Sequence, residues 1–542
     1  MENGEQPLLL SIQDEYHNPN HNKQDYHVGR TGIQYFFREF CVESNKLWYL
    51  AAPAILTSIC QYSLGAITQV FAGQLGTTEL AMVSVENSII AGFCYGIMWG
   101  MGSALETLCG IAFGAGHLEM LGIYMQRSWV ILNVTALGLV FLYIFATPVL
   151  KIMGETDEIA TEAGMFSLWM IPQLFAYAMN YPLTKFLQAQ GKFMAMAVIS
   201  GVTLVLHAVF SWLLMLKLGW GMVGAAVVLN SSWWFIVLAE LVYIFSGACG
   251  RAWTGFSWMA FQNLWGFLKL SLASGAMLAL EMWYMMSLTL FAGYLKDAQI
   301  LSDASSICVN IMGWTIMAGT GFNSAISVRV SNELGAANPR AAKFSAVVVG
   351  VMSSLIGILL LLVLVATAKL YPSLFSTDTQ VKQIVYELTP LLGLAILVYN
   401  LQLSLAGMGG HWGRVASLCR ICEPRVLLFC WDSNVSAYGF QVQHGHSVEK
   451  EEEITVEKMS WGGPPMVGKE RAEVGEKVLA RGIWGGILIG SILEAFILMW
   501  IIYRTNWDKE VIYLEDVLNL FLLLLLETGY NTGVKEQMPS TN

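Results

Sequence analysis

The sequence predicts an all-α membrane protein made of two pseudo-symmetric helical bundles. Three observations carry this. Of 542 residues, 56% are hydrophobic and 13% charged, where a soluble domain carries about 25% charged residues. The apolar residues gather into long segments, each near the roughly 20 residues that cross a bilayer as a helix. Short pieces of text also recur at an offset near 220 residues, as a duplicated bundle requires.

Residues 1–45 are polar and rich in Asn, His, Asp and Gln, and read as a cytosolic disordered tail. Glu5 followed by Leu9-Leu10 resembles an acidic dileucine sorting signal, a pattern that also arises by chance. The N-terminus lacks the basic and apolar regions of a cleaved signal peptide. A first lobe, 46–250, holds apolar segments at 47–70, 80–105, 122–148, 163–184, 194–216 and 222–246. A second, 251–408, holds 270–295, 301–325, 344–368 and 386–407. A polar stretch at 409–481, a final span at 482–504 and a tail at 505–542 complete the chain. Pro53, Pro172, Pro182 and Pro390 lie in or beside these segments, where neighbouring groups can satisfy the freed carbonyls. Arg30, Arg38, Lys46, Arg127, Lys185, Lys192, Arg251, Lys269, Arg329, Arg340 and Lys343 fall in the tail and the even-numbered loops. Only Lys151, Lys217, Lys296, Lys369 and Lys382 fall in the odd ones, which puts the N-terminus in the cytosol.

The repeat is visible in three places. Phe71-Ala72-Gly73 matches Phe291-Ala292-Gly293, Ser103-Ala104 matches Ser324-Ala325, and Gly114-Ala115 matches Gly335-Ala336. Parallel repeats of this kind place a solute cavity between the halves.

The segment Leu270–Leu295 is bounded by Lys269 and Lys296 and carries one charge, Glu281, near its middle. At about 1.5 Å per residue it exceeds the roughly 30 Å of bilayer hydrocarbon, so it spans with some tilt. A mid-membrane carboxylate costs about 2.5–3.5 kcal/mol on insertion scales. Either it carries protons for a coupled transporter or it is a permanently hydrogen-bonded interhelical group. Tyr284 and Met285 share its helix face. Tyr284 can hold the carboxyl, stack on an aromatic ligand or simply pack. Asp303 and Asn310 lie two turns apart on one face of the next segment; Asn310 is the expected partner for Glu281, and Asp303 either lines the cavity or simply sits at the interface. In the first lobe, Gln61, Gln69 and Asn87 are intramembrane polar groups; they line a cavity or hydrogen-bond between helices, at about 0.6 kcal/mol each. Glu86 and Glu106 with Arg127 read as a loop-end ion-pair set. The 27 Met, 19 Trp, 20 Tyr and 26 Phe suit soft, adaptable binding surfaces or lipid contact.

Several function classes drop out. A net charge of −10 is no nucleic-acid footprint. No nucleotide-binding loop is present, so neither an enzyme nor a primary pump is read. Nine scattered cysteines make no disulfide framework. Cys419, Cys422 and Cys430 with His411, His444 and His446 match no zinc spacing.

The run from Glu43 to about Gln402 resembles the plant multidrug and toxic compound extrusion (MATE, or detoxification) transporters. The resemblance lies in Gln61-Tyr62-Ser63-Leu64-Gly65, Val83-Ser84-Val85-Glu86-Asn87-Ser88, Gly102-Ser103-Ala104-Leu105-Glu106-Thr107-Leu108-Cys109-Gly110, Tyr124-Met125-Gln126-Arg127-Ser128 and Arg329-Val330-Ser331-Asn332-Glu333-Leu334-Gly335. It resumes at Gly482-Ile483-Trp484-Gly485-Gly486 and runs to Trp507. The resemblance implies twelve helices in two lobes and export of organic solutes against proton or sodium entry. The branch it looks most like includes vacuolar flavonoid/proton antiporters, which implies the vacuolar membrane, with the plasma membrane as the alternative. It implies Glu281 as proton carrier, no cofactor beyond the proton gradient, and a monomer that meets small organic solutes, protons and lipid. A vacuolar anion channel on the same scaffold is the alternative activity. Two positions depart from the family: Asn400, where some members carry an aspartate, and Ile111, where Gln is common. Asn400 can hydrogen-bond in the cavity but cannot carry a proton.

After Gly407 the family expects an eleventh apolar helix, and this chain has polar text instead. Read one base out of frame, codons permitted by Phe429-Cys430-Trp431-Asp432-Ser433-Asn434 encode Phe-Val-Gly-Ile-Pro, which resembles the family's text. Stretches Leu418–Val426 and Gly439–Glu449 behave the same way. Residues 409 to about 450 therefore read as out-of-frame translation of that helix, and 451–481 as inserted sequence. With one span lost, the segment from Gly482 is expected to enter from the cytosolic side, reversed from its family orientation. Arg504 and Lys509 oppose that and Arg481 favours it. On this reading the product has eleven spans and transports weakly or not at all.

Overall fold

The computed structural model describes residues 32–262, 264–269, 271–272, 298–375, 378–409, 484–485, 488–500, 502–509 and 511–512. All regular structure among them is helical. In chain order the α-helices are α1 (Gly32–Leu75), α2 (Thr77–Val85), α3 (Gly92–Gly114), α4 (Leu118–Ile144), α5 (Ala146–Ile152), α6 (Asp157–Ala189), α7 (Phe193–Ser211) and α8 (Gly221–Tyr243). After two short 3-10 turns at Gly250–Ala252 and Trp258–Phe261 come α9 (Ala298–Gly335), α10 (Pro339–Thr367), α11 (Pro372–Phe375) and α12 (Thr379–Gly409). A π-helical turn, Glu86–Ala91, joins α2 to α3 as one continuous rod.

Local sequence explains the boundaries. Thr156 caps α6 through its hydroxyl, with Asp157 and Glu158 in the first turn facing the positive end of the dipole. Pro339 opens α10, where a missing N–H costs nothing. Gly116, Gly154 and Gly191 turn the chain between helices at positive φ. Inside α1, Pro53 frees a backbone position, and the Thr57 hydroxyl donates to the Pro53 carbonyl at 2.8 Å.

Among the described residues, seven helices are long and apolar enough to span a bilayer: 36–75, 78–114, 118–144, 193–217, 221–248, 339–367 and 379–407. Each overlaps a segment expected from sequence. The expected spans at 163–184 and 301–325 are also unbroken helix, within α6 and α9. Gln173 and Asn180 dilute the first, Asn310 and Asn323 the second. The expected span at 270–295 lies outside the described residues except for 271–272.

Each bundle has its own apolar core. Leu64, Met98, Tyr124, Leu174, Phe186 and Ile236 belong to that of the first bundle. Ile307, Met312, Val385, Leu392 and Tyr399 belong to that of the second. A third cluster closes the seam between them, with Leu47, Ala51 and Ile111 against Phe322, Ile326, Val330 and Leu334. There α3 and α9 approach backbone to backbone. A Cβ on Gly114 would run into the Asn332 carbonyl, and one on Gly335 into the Ile111 carbonyl. A Cβ on Gly110 would meet the Ser331 hydroxyl. Gly114 and Gly335, Ile111 and Asn332, Gly110 and Ser331 are equivalent positions of the sequence repeat, so the two halves touch through equivalent positions. Ile111 is buried in this seam.

The final helix is not reversed. Trp484 is buried with Tyr371, Val381 and Ile384 of the second core. Leu498, Trp507 and Val511 are buried in the seam cluster with Leu334, Ala342 and Leu405. Leu334 and Leu405 lie at the ends of α9 and α12, and Ala342 at the start of α10. The final helix thus runs parallel to α9 and α12, and the expected reversal is overturned. Arg504 and Lys509 come to the end of the bundle where Arg329, Arg340 and Lys343 lie. The suspected out-of-frame stretch and the Cys/His group within it lie outside the described residues.

Candidate functional site

Glu281, Tyr284 and Met285 lie outside the described residues, as does the side chain of Asp303 in α9. The other expected site residues fall into two places. On α1, Gln61, Gly65 and Gln69 are four apart and share a face. Gln61 and Gln69 are half-buried, and the Gln61 side-chain N–H has no partner. Asn87, also half-buried, fills the notch at Gly65: a Cβ there would come within 3.0 Å of the Asn87 amide nitrogen. The three expected first-lobe residues therefore form one polar stripe.

That stripe sits beside the second bundle. Tyr62 packs edge-on to Trp314 of α9, ring centroids 5.5 Å apart, and its hydroxyl would lie 2.6 Å from a Cβ on Gly313. Asn310 is exposed one turn before Trp314. Further along, α1 and α9 lie so close that a Cβ on Gly321 would approach the Ile55 backbone to 2.5 Å. Trp48 meets Phe322 at 5.1 Å.

Asn400 takes no part in the stripe. It is buried in α12, its amide donating to the Ile396 carbonyl at 2.8 Å. Its oxygen stands 2.8 Å from where a Gly319 Cβ would be. The Asn323 amide donates to the Leu403 carbonyl at 2.6 Å, and Gly407 lies against the Asn323 side chain. Two asparagines and two glycines lock α9 to α12.

The expected set of Glu86, Glu106 and Arg127 does not form. Glu86 and Glu106 lie twenty residues apart on one rod, about 30 Å at helical rise. Lys185 donates to the Glu106 carboxylate at 2.7 Å, and both side chains are buried between α3 and α6. Arg127 instead donates to the Met259 carbonyl at 3.2 Å, with its guanidinium 5.9 Å from the Tyr124 ring. Beside it, the Gln126 amide donates to the Gly255 carbonyl at 3.0 Å, and its oxygen accepts from the Ser257 N–H at 2.8 Å. The motif Tyr124–Ser128 fastens the segment that leaves the first lobe.

Two buried groups escaped the sequence reading. His207 accepts or donates to Thr68 at 3.1 Å and Ser232 at 2.9 Å, tying α1, α7 and α8 together. Glu240 of α8 is fully buried, and neither carboxyl oxygen has a partner. A lone His or Glu inside an apolar run was the available signal.

Helices of membrane-crossing length, a duplicated bundle and a polar stripe at the seam define a polytopic membrane transporter of the two-lobed class. The MatE family model matches residues 53–213 and 273–418. Protein DETOXIFICATION 29 and Protein DETOXIFICATION 30 of Arabidopsis thaliana are 53% and 52% identical to this chain, each alignment covering 90% of both chains. The crystal structure of the eukaryotic MATE transporter AtDTX14 superposes with TM-score 0.74 at 28% identity, covering 88% of this chain and 99% of that one. The Vibrio cholerae MATE transporter VcmN, in its bent form, shares the fold at TM-score 0.65 and 16% identity, covering 88% and 98%. The chain belongs to the MatE family of multi-pass membrane transporters.

Proposed function

We propose that this transporter exchanges protons for organic solutes, flavonoid-like or xenobiotic, with Glu281 as the proton carrier. The observation that carries the reading is the single carboxylate amid the apolar stretch Leu270–Leu295. The second family match includes this position. The stripe of Gln61, Asn87 and Gln69, with Tyr62 and Trp314 beside it, offers amide hydrogen bonds and aromatic faces to a planar solute. Proton entry from the acidic side neutralises Glu281, the lobes repack about the seam, and the solute leaves. The proposed setting is the vacuolar membrane, with the plasma membrane as the alternative, and the working unit is a monomer. The test is flavonoid uptake into vesicles under an imposed pH gradient. Glu281→Gln should abolish gradient-driven uptake while the protein still inserts; full coupling in that variant overturns the role.

A second reading keeps the scaffold without the activity. The family match ends at residue 418, near where the polar text begins. If 409–450 is out-of-frame translation, the transcript will show a shifted frame there; an unbroken frame shared with close relatives removes that reading. Currents that persist without a pH gradient would instead favour an anion channel.

A further inference from the structure

A second carboxyl is enclosed in the first lobe, and nothing above uses it. Glu86 opens the π-helical turn Glu86–Ala91, nine residues into the rod that starts at Thr77, or about 14 Å at helical rise. It is 1% exposed, and one of its carboxyl oxygens has no hydrogen-bond partner. Three titratable groups face it: Cys94 of α3, Tyr143 of α4 and Tyr177 of α6. None brings a positive charge, and no lysine or arginine among the described residues pairs with it. The Tyr143 hydroxyl is itself buried, with the Cys94 thiol beside it. From α1, the turn receives Gly65.

A buried carboxylate with an unmet oxygen and no cation is costly, and a proton removes the charge. Tyr143 and Ile90 are fully buried beside it, so the enclosure suits a proton and excludes an organic cation. The π turn adds a residue to one helical turn, and such turns recur at functional sites. Here it sets Glu86 inward while the next residue, Asn87, fills the Gly65 notch between Gln61 and Gln69. We propose that Glu86 is a second proton-binding carboxyl, in the first lobe, whose loading is transmitted through the π turn to the polar stripe on α1. This rests on the proton-exchange reading above. Tyr143 lies at the end of α4 that meets the third, lysine-poor loop, so the proton arrives from the non-cytosolic face.

The test reads protons directly. Infrared difference spectra of the purified, reconstituted protein between acid and alkaline pH should show a protonated-carboxyl band that Glu86→Gln removes and Glu281→Gln leaves in place. In transport, Glu86→Gln should lower the number of protons exchanged per solute. Glu86→Asp, which keeps a carboxyl in the enclosure, should retain a protonated-carboxyl band at a shifted frequency. The proposal is overturned if Glu86→Gln leaves the spectrum unchanged, or if Glu86→Asp loses the band as Glu86→Gln does. Those outcomes are separate from failure of the coupling role itself, which Glu281→Gln reports.

Discussion

Removing the ammonium from the ion pair between α3 and α6 should destabilise the first bundle by about 3–5 kcal/mol. Lys185 and Glu106 are 5% and 7% exposed at the side chain and 2.7 Å apart. The other Glu106 oxygen already has no partner, so nothing nearby takes over when Lys185 is replaced. Lys185→Met therefore strands a buried anion, and Glu106→Met strands a buried ammonium. The double variant strands neither and fills similar volume with apolar atoms, so it should lie within about 1 kcal/mol of the unmutated protein. The assay is a double-mutant cycle from denaturant titration in detergent, followed by tryptophan fluorescence. A Lys185→Met loss below about 1 kcal/mol, or a double variant as poor as the sum of the singles, would refute the reasoning.

Further outcomes follow from the same contacts. Gly335→Val drives a side chain into the Ile111 backbone and should cost about 1–3 kcal/mol and slow uptake. Gly350→Val, with open space around it, should do neither; equal thermal midpoints for the two would contradict the seam. Gln126→Ala removes two hydrogen bonds to residues 255 and 257 and should cost about 1–3 kcal/mol. Limited proteolysis should then cut faster between 249 and 262, and an unchanged rate would argue against a fastening role. Burial pushes the Tyr371 hydroxyl, hydrogen-bonded to Thr389 at 2.6 Å, up to about 12. The unfolded chain releases that proton near pH 10, so stability holds below about pH 10 and falls above it. Tyr371→Phe should soften that alkaline loss in a melting-temperature series, and an identical profile would count against it.

The helices were legible because apolar length is a strong, local signal, and nine of the expected spans coincide with helix among the described residues. The repeat was legible too, although the sequence did not say that equivalent residues would touch. The first-lobe stripe could be listed residue by residue, but only the Gly65 notch shows that Asn87 joins Gln61 and Gln69. Ion pairing was misread because charge spacing along the chain says nothing about helix ends. Glu106 found Lys185, seventy-nine residues away, rather than Arg127. The final helix was misread because counting spans gave more weight to parity than to the cations that close it. His207 and Glu240 were missed because a single polar letter in an apolar run barely alters its average.

The crossing of α3 and α9 has the geometry of an isologous dimer contact, in which a patch meets its own copy across a two-fold axis. Covalent fusion turns such an association into an intramolecular one, held at high effective concentration. The halves no longer need to be identical to find each other. Gly110 and Ser331 have already diverged at the crossing. At the offset of the Phe-Ala-Gly text, Gln61 stands where the second half carries Glu281, an amide in place of an acid of nearly the same shape. A self-associating single-lobe ancestor would have carried the same group twice at that position. The fused chain holds one neutral copy and one ionisable copy at that position, so the two halves are free to take on different chemistry there.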